Sequence, residues 1–367
     1  MRVCLVNLWH THDDPDAHVE ADVTRRGFAT ALAARGHEVH VVQELGVRAE
    51  VVRDGVTWHF VPPTVATRLT RRVVGLARRH PMVPTPAPGI VPAIERLRPE
   101  VIHTFDLVFY PTLILLGRLA RRLGAALVAH YHGGDPATSA PGREIERRAL
   151  AEVDLALFTT REHAARFPIE RVATLAETST FFGPGDRAEA RARTGLAGDP
   201  AILCPGRLDP VKDPRTTLAG FARVRAARPD ARLFLAYTDD TLGLPTPPGV
   251  TRLGRVPHAE MEHLFRAADL MVQSSVREVC GVAVLEALAC GCPPVVTDIP
   301  SFRWLVDGAG ALFPVGAAEA LAGAVLSLAP AVSPRARFEA ELSFAALAAR
   351  LEGHYAEAIR GRASRSG

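Results

Sequence analysis

Short β-rich apolar runs alternate with helical patterns along nearly the whole chain, and that alternation limits the fold more than any other feature. In the first half RVCLVNL, HEVHVV, EVIHTF, AALVAHYH and DLALFTT read as strands. Between them ADVTRRGFATALAARG, PTLILLGRLARRLG and REIERRALAEV carry apolar residues at helical spacing, and Gly36 and Gly124 stand where helix C-caps belong. The pattern stops over ETSTFFGPGD, Glu177 to Asp186, which has glycine, proline and small polar residues but no period. It restarts with AILCPGRL, RLFLAYT, VTRLGRV, DLMVQSS and PPVVTDI as strands, separated by TTLAGFARVRAARP, AEMEHLFRAA and GVAVLEALACG as helices. Such alternation is the signature of parallel α/β layers. The expectation is α/β, with two doubly wound Rossmann-like domains at 1–176 and 187–333. FEAELSFAALAARLEGHYAEAIRG then reads as one long helix within 334–367, free to pack back on the first domain. Two such domains in tandem predict a cleft between the carboxyl ends of their sheets, where ligands of these folds bind.

Composition narrows the function classes. At 367 residues with 48% apolar content the chain supports two cores. No run of about 18 apolar residues predicts a spanning helix, and MRVCLVNLWH reads as a first buried strand rather than a secretion signal. Five cysteines, an odd number, fit reduced thiols and a cytoplasmic setting. Cys290-Gly-Cys292 lacks the second ligand pair a zinc site needs. A net charge of +3 is too small to argue for nucleic acid.

The stretch GRLDPVKDP holds the only lysine among 43 basic residues. Gly206 follows a strand and lets the backbone turn closely, Arg207 offers a forked donor, and Lys212 offers a compact point charge suited to a phosphate oxygen. Downstream, Glu278 lies in a loop after DLMVQSS and Glu286 in the second turn of the next helix. Eight residues correspond to about 12 Å along a helix, too far for a shared proton, so these are two separate hydroxyl contacts rather than an acid/base pair. Between them the free N–H groups of Cys280, Gly281 and Val282 at the helix start form an anion site. Spacing alone is equally consistent with a solvated Glu278 and a helix-surface Glu286. With both cations at a strand end of the same domain, the set describes a sugar joined through a diphosphate to a ribose.

These residues resemble glycosyltransferase family 4, retaining enzymes of the GT-B fold, whose pattern pairs G-R-x(4)-K-(D/G) with Glu-x7-Glu, then a strand and T-D. Here the pattern stands as Gly206-Arg207, Lys212-Asp213, Glu278, Glu286 and Thr297-Asp298. The resemblance covers most of the chain but is specific over about 201–314. It implies that Arg207 and Lys212 hold the donor diphosphate, Glu286 the ribose, Glu278 the donor sugar, and the main chain of Arg255 and Val256 in LGRVP the nucleobase. It also implies a nucleotide diphosphate sugar as substrate, a UDP-sugar first, with no cofactor and no metal. His132 in HYHGGDP matches the His-Gly that family members place near the donor sugar, while Asp135 either meets acceptor or caps the following helix.

Three departures stand out. HTHDDPDAHVEAD replaces the glycine pair after the first strand, Val279-Cys280 precedes Gly281, and AYTDDT replaces a glycine-rich turn. The first loop, with His10, His12, Asp13 and Asp14, has no fixed metal-ligand pattern and reads as a polar lining on the acceptor side, its acidity favouring a cationic acceptor such as an amino sugar or aminocyclitol. Glycans and lipid-linked acceptors remain open alternatives. TRLTRRVVGLARRHP, residues 67–81, sets arginines beside an apolar stripe, which serves either as a core face or as a peripheral seat on an anionic membrane. Two rival functions share the fold or the ligand: a phosphorylase or epimerase, and a protein that binds a nucleotide sugar without turning it over.

Overall fold

The structure is a computed structural model that describes residues 1–8, 12–65, 67–69 and 87–366. It divides into two units, Met1–Glu177 with Phe344–Gly367, and Thr178–Ser343. In the first, β1 (Arg2–Asn7), β2 (Glu38–Glu44), β3 (Ala49–Arg53), β4 (Val56–Val61), β5 (Val101–Thr104), β6 (Ala126–His130), β7 (Leu155–Phe158) and β8 (Val172–Thr174) form one sheet in the order β3-β4-β2-β1-β5-β6-β7-β8. Of these strands only β3 runs antiparallel to its neighbour. The second unit carries β9 (Ala201–Pro205), β10 (Arg232–Ala236), β11 (Val250–Gly254), β12 (Leu270–Gln273), β13 (Pro294–Thr297) and β14 (Ala311–Phe313), all parallel, in the order β11-β10-β9-β12-β13-β14.

Parallel strands covered on both faces need unbroken apolar runs, and the central strands comply: every residue of β9, and Val3 to Asn7 of β1, is buried. In each sheet the chain departs in opposite directions from two adjacent central strands. From β1 it passes to β2 and from β5 to β6; likewise from β9 to β10 and from β12 to β13. Such reversals open a crevice at the carboxyl ends of the paired strands. The registers that set these crevices put Val6 beside Thr104 in the first unit and Leu203 beside Met271 in the second.

Four strands, β3, β4, β8 and β14, go beyond the sequence expectation. β3 and β4 form a hairpin through Asp54-Gly55, both at positive φ (53° and 75°), the backbone that a tight two-residue hairpin turn requires. β3 alternates half-buried and exposed residues at the sheet edge, and β8 and β14 are three residues each, too short for a periodic signal. Gly124 is the left-handed C-cap of the Tyr110–Leu123 helix, whereas the Val23–Ala33 helix ends on Ala34, two residues before Gly36.

The units divide between Glu177 and Thr178, inside the aperiodic stretch 177–186, and the rest of that stretch belongs to the second unit, with Thr178, Ser179 and Thr180 buried. Gly183 is fixed at both ends, its N–H donating to Glu262 Oε1 (2.8 Å) and its carbonyl accepting from Arg266 Nε (2.8 Å). The expected single C-terminal helix is also interrupted: the backbone is extended at Ser343, between a π-helical turn, Phe338–Leu342, and a helix, Phe344–Ser366. Residues 334–343 thus belong to the second unit, while the Phe344–Ser366 helix lies in the first, with Phe344 edge-on to Phe28 (5.5 Å) and Tyr355 OH 2.7 Å from His103 Nδ1. No helix among the described residues is long and apolar enough to cross a membrane. Of the basic stripe at 67–81, buried Thr67 and exposed Arg68 and Leu69 are described, and the remainder lies outside the described residues.

Candidate functional site

The crevice of the second unit is built from the ends of β9 and β12. β9 delivers Gly206, whose φ of +128° suits glycine, and then a turn organised by Asp209. Asp209 Oδ1 accepts the N–H groups of Val211 (3.0 Å) and Lys212 (2.9 Å), and Oδ2 pairs with Arg207 Nε (2.7 Å). Asp213, at φ +44°, N-caps the Pro214–Ala227 helix through the N–H (3.3 Å) and hydroxyl (2.5 Å) of Thr216. The loop is fastened to the end of β12, since Ser274 Oγ donates to Asp213 O (2.6 Å) and the Val276 N–H to Val211 O (2.9 Å).

That fastening brings together residues far apart in sequence. Lys212 Nζ pairs with Glu278 Oε1, with the two side chains 19% and 14% exposed. The same carboxylate oxygen accepts from Ser275 Oγ (2.8 Å) and Gln273 Nε2 (3.2 Å), and Ser301 Oγ donates to the Glu278 carbonyl (3.2 Å). Glu278 is therefore aimed by three donors and one opposite charge. Arg207 stands at the same strand end, half-exposed and tied to Asp209.

Glu286 has a different partner. It lies in the Val282–Cys290 helix, buried, and accepts from His258 Nε2 at 2.7 Å, a bond that raises the His258 pKa. The His258 ring stacks on Phe182 at 4.8 Å. Exposed Arg255 and half-buried Val256 lie in the turn between β11 and His258, so the LGRVP segment reaches Glu286 through that histidine. The helix itself starts on Gly281 at φ +96°, and its first internal bonds run from Val284 and Leu285 to the Gly281 carbonyl, leaving the amides of Val282 and Ala283 ahead of the ladder. Cys280 is buried beneath. Thr297 Oγ1 donates to Ser275 O (2.5 Å), and Asp298 pairs with Arg303 (2.5 Å), so the T-D pair braces the loop. Asp240 pairs with Arg252 (2.7 Å) and caps its own turn, and among the described residues no cluster of His, Cys, Asp or Glu converges as a metal site.

In the first unit His132 follows β6, half-buried, with its ring edge-on to Phe105 (5.3 Å) and His130 (5.4 Å). Burial first, then the charge of neighbouring groups including Arg25, pushes its pKa well below the usual histidine value and keeps it neutral. Asp135 does not cap the next helix. It pairs with Arg166, and Ser139 is the N-cap. In the acidic loop Asp14 N-caps a short helix, Pro15–Ala21, and Asp16 pairs with Arg53 (3.3 Å). Asp13 and His12 are exposed, and His10 lies outside the described residues. Sequence reasoning missed His258, Phe182, Gln273 and Ser275. His258 alone carried a signal, its place directly after LGRVP.

Residues 24–168 match the family described as Glycosyltransferase Family 4, and residues 199–330 the one described as Glycosyl transferases group 1. A D-inositol 3-phosphate glycosyltransferase of Segniliparus rotundus is 35% identical over 133 residues, 32% of this chain and 29% of that protein. One of the same name from Mycobacterium tuberculosis is 36% identical over 132 residues, 32% and 27% of the respective chains. The chain thus spans less than a third of the length of the curated relatives it matches. Among solved structures, sucrose-phosphate synthase from Thermosynechococcus elongatus superposes with a TM-score of 0.61 at 19% identity, over 99% of this chain and 94% of that one. The catalytic domain of starch synthase IV from Arabidopsis thaliana gives 0.65 at 14%, over 98% and 99%. At such identities these two speak for the GT-B fold alone, and it is the sequence matches over both units that carry the assignment: the chain belongs to glycosyltransferase family 4.

Proposed function

We propose that this chain is a retaining glycosyltransferase that moves a sugar from a nucleotide diphosphate sugar, a UDP-sugar, to a hydroxyl of a small acceptor. The observation that carries the reading is the Lys212–Glu278 pair at the crevice of the second unit. Each group holds the other's charge until a ligand brings a diphosphate for the ammonium and sugar hydroxyls for the carboxylate. Glu286 would exchange His258 for the ribose hydroxyls. The curated relatives, named for D-inositol 3-phosphate, favour a polyol or sugar acceptor. Five buried cysteines, none of them in a disulfide, favour a cytoplasmic setting.

In the reaction the anomeric carbon–oxygen bond to the diphosphate breaks, and negative charge builds on the leaving phosphate. Lys212, Arg207 and the amides that open the Val282–Cys290 helix oppose that charge. The acceptor oxygen bonds to the same face of the anomeric carbon and its proton passes to the leaving phosphate oxygen, so no side chain has to serve as base. Two protein cations take the part a divalent metal plays elsewhere, and turnover is expected to persist in chelator.

The test is calorimetry of UDP, GDP, ADP and dTDP with and without chelator, on the wild type and Lys212→Ala, followed by product analysis with the matching nucleotide sugar. Chelator-resistant binding of one diphosphate that Lys212→Ala abolishes, with transfer to an acceptor, is the expected result. Binding indifferent to Lys212 would remove the basis of the proposal. Nucleotide binding without any turnover would mark a sensor, and products made from phosphate or water a phosphorylase or epimerase.

A further inference from the structure

The crevice of the first unit holds a buried cation for which donor chemistry has no use. β1 and β5 lie side by side there, with Val6 beside Thr104, so Asn7 and Phe105 mark the strand ends from which the chain departs in opposite directions. Arg25, in the first turn of the Val23–Ala33 helix, sits over this point with its Cζ 5.0 Å from the centroid of the Phe105 ring. The residue is only 8% exposed.

One side of the guanidinium is accounted for. Its Nη1 lies 3.5 Å from Asp22 Oδ1. Asp22 is committed in its turn, accepting from Asn7 Nδ2 (2.6 Å) and from the backbone N–H of Arg25 (3.1 Å) as N-cap of the helix. The other edge, Nε and Nη2, is shut from water and has no hydrogen-bond partner among the described residues. That edge delivers two parallel N–H bonds to a carboxylate or phosphate. Asp106 is buried one residue beyond Phe105, and neither it nor Asp22 bonds the edge.

One more polar atom on this side of the sheet is in the same condition. His132 Nε2, on the ring that meets the edge of Phe105, is buried without a partner among the described residues. A carboxylate or phosphate meets the guanidinium fork with two parallel bonds and leaves an oxygen for the imidazole, which a single neutral hydroxyl does not.

We propose that Arg25, with His132, binds an oxyanion carried by the acceptor: a phosphate monoester or a carboxylate on a sugar-sized molecule. The word acceptor rests on the glycosyltransferase reading above, whereas the oxyanion site stands on the geometry of the first unit alone.

The full-length chain, saturated with nucleotide diphosphate so that the Lys212 site is filled, is titrated by calorimetry with inorganic phosphate, a hexose 6-phosphate, a hexuronate and a neutral hexose. The expected result is binding of the sugar phosphate or the sugar acid in preference to the neutral hexose, weakened about tenfold or more by Arg25→Gln, with nucleotide affinity unchanged. Preference between the phosphate and the carboxylate probe names the anion, and inorganic phosphate separates a free-ion site from one that also needs the sugar. No binding of any anion by the wild type, or binding untouched in a folded Arg25→Gln, overturns the proposal. If Arg25→Gln does not fold, a wild-type crystal soaked with the preferred probe decides: the anion on the Nε/Nη2 edge of Arg25 supports the site, and any other position overturns it. Arg25-dependent anion binding in a chain that binds no nucleotide, tested with Lys212→Ala in place of nucleotide saturation, would sink the donor reading and leave the oxyanion site standing.

Discussion

Replacing Lys212 by methionine tests both the architecture and the proposed chemistry, because the two make separable demands on the same atom. The variant leaves Glu278 14% exposed with Ser275 Oγ and Gln273 Nε2 as donors but no counter-charge. Removing one partner of a buried ion pair costs about 3–5 kcal/mol. Two remaining neutral donors, each worth about 1 kcal/mol, and partial access to water bring the expected loss to about 2–3 kcal/mol. At about 2–4 °C per kcal/mol for a domain of this size, the melting point of the second unit should fall by roughly 5–10 °C.

The double variant Lys212→Met/Glu278→Gln removes the uncompensated charge while keeping an acceptor for Ser275, so most of the stability should return. Catalysis should not return with it, since the ammonium facing the leaving diphosphate is still gone, and a missing electrostatic donor of this type costs about 10²–10³ in turnover. The assays are thermal melts of the three proteins and release of nucleotide diphosphate from the donor sugar. A single variant as stable as the wild type would refute the coupling between β9 and β12 through this pair. A double variant that regains activity would show Lys212 to be a structural residue.

Three further outcomes are expected. Gly281→Ala sets a Cβ 2.5 Å from Phe302 Cε1 at a φ of +96°, and a loss of about 2–4 kcal/mol in denaturant titration should follow; an unchanged midpoint would show that the helix start can shift at little cost. The bond to Glu286 raises the His258 pKa, so its stabilisation is fully present below the unfolded value of about 6.5 and fades as pH rises through the folded value. Glu286→Gln should flatten that part of the melting-point profile, and a profile identical to wild type would count against the pair. Burial lowers the His130 pKa to about 3, so the unfolded chain binds the extra proton between there and about 6.5 and stability falls with pH across that window, by about 2 kcal/mol at pH 5. His130→Asn should lose less on acidification than the wild type, with denaturant midpoints at pH 7 and pH 5 as the check.

The parts of the fold legible in the sequence were those whose signal is local. Central parallel strands such as AILCP are apolar throughout because both faces are covered, and each declares itself within five residues. The β3–β4 hairpin was hidden because an edge strand presents charged residues to water, and AEVVR has no clean alternation to show for it. The same contrast runs through the two crevices. Lys212 could be singled out because every other basic residue of the chain is arginine, so composition makes a lysine informative. Its bond to Glu278 spans 66 residues, and only the adjacency of β9 and β12 turns two motif letters into one charge pair. Arg25 is the opposite case. In an arginine-rich chain one more arginine in a helical pattern carries no information, and a position in the first turn of an amphipathic helix suggests solvent. What distinguishes it is burial with a bidentate edge that has no partner among the described residues, a property of the strand order that places Asn7, Phe105 and the helix start around it. A charge is thus informative where its surroundings make it improbable: for Lys212 those surroundings are the composition of the chain, and for Arg25 the interior of the fold.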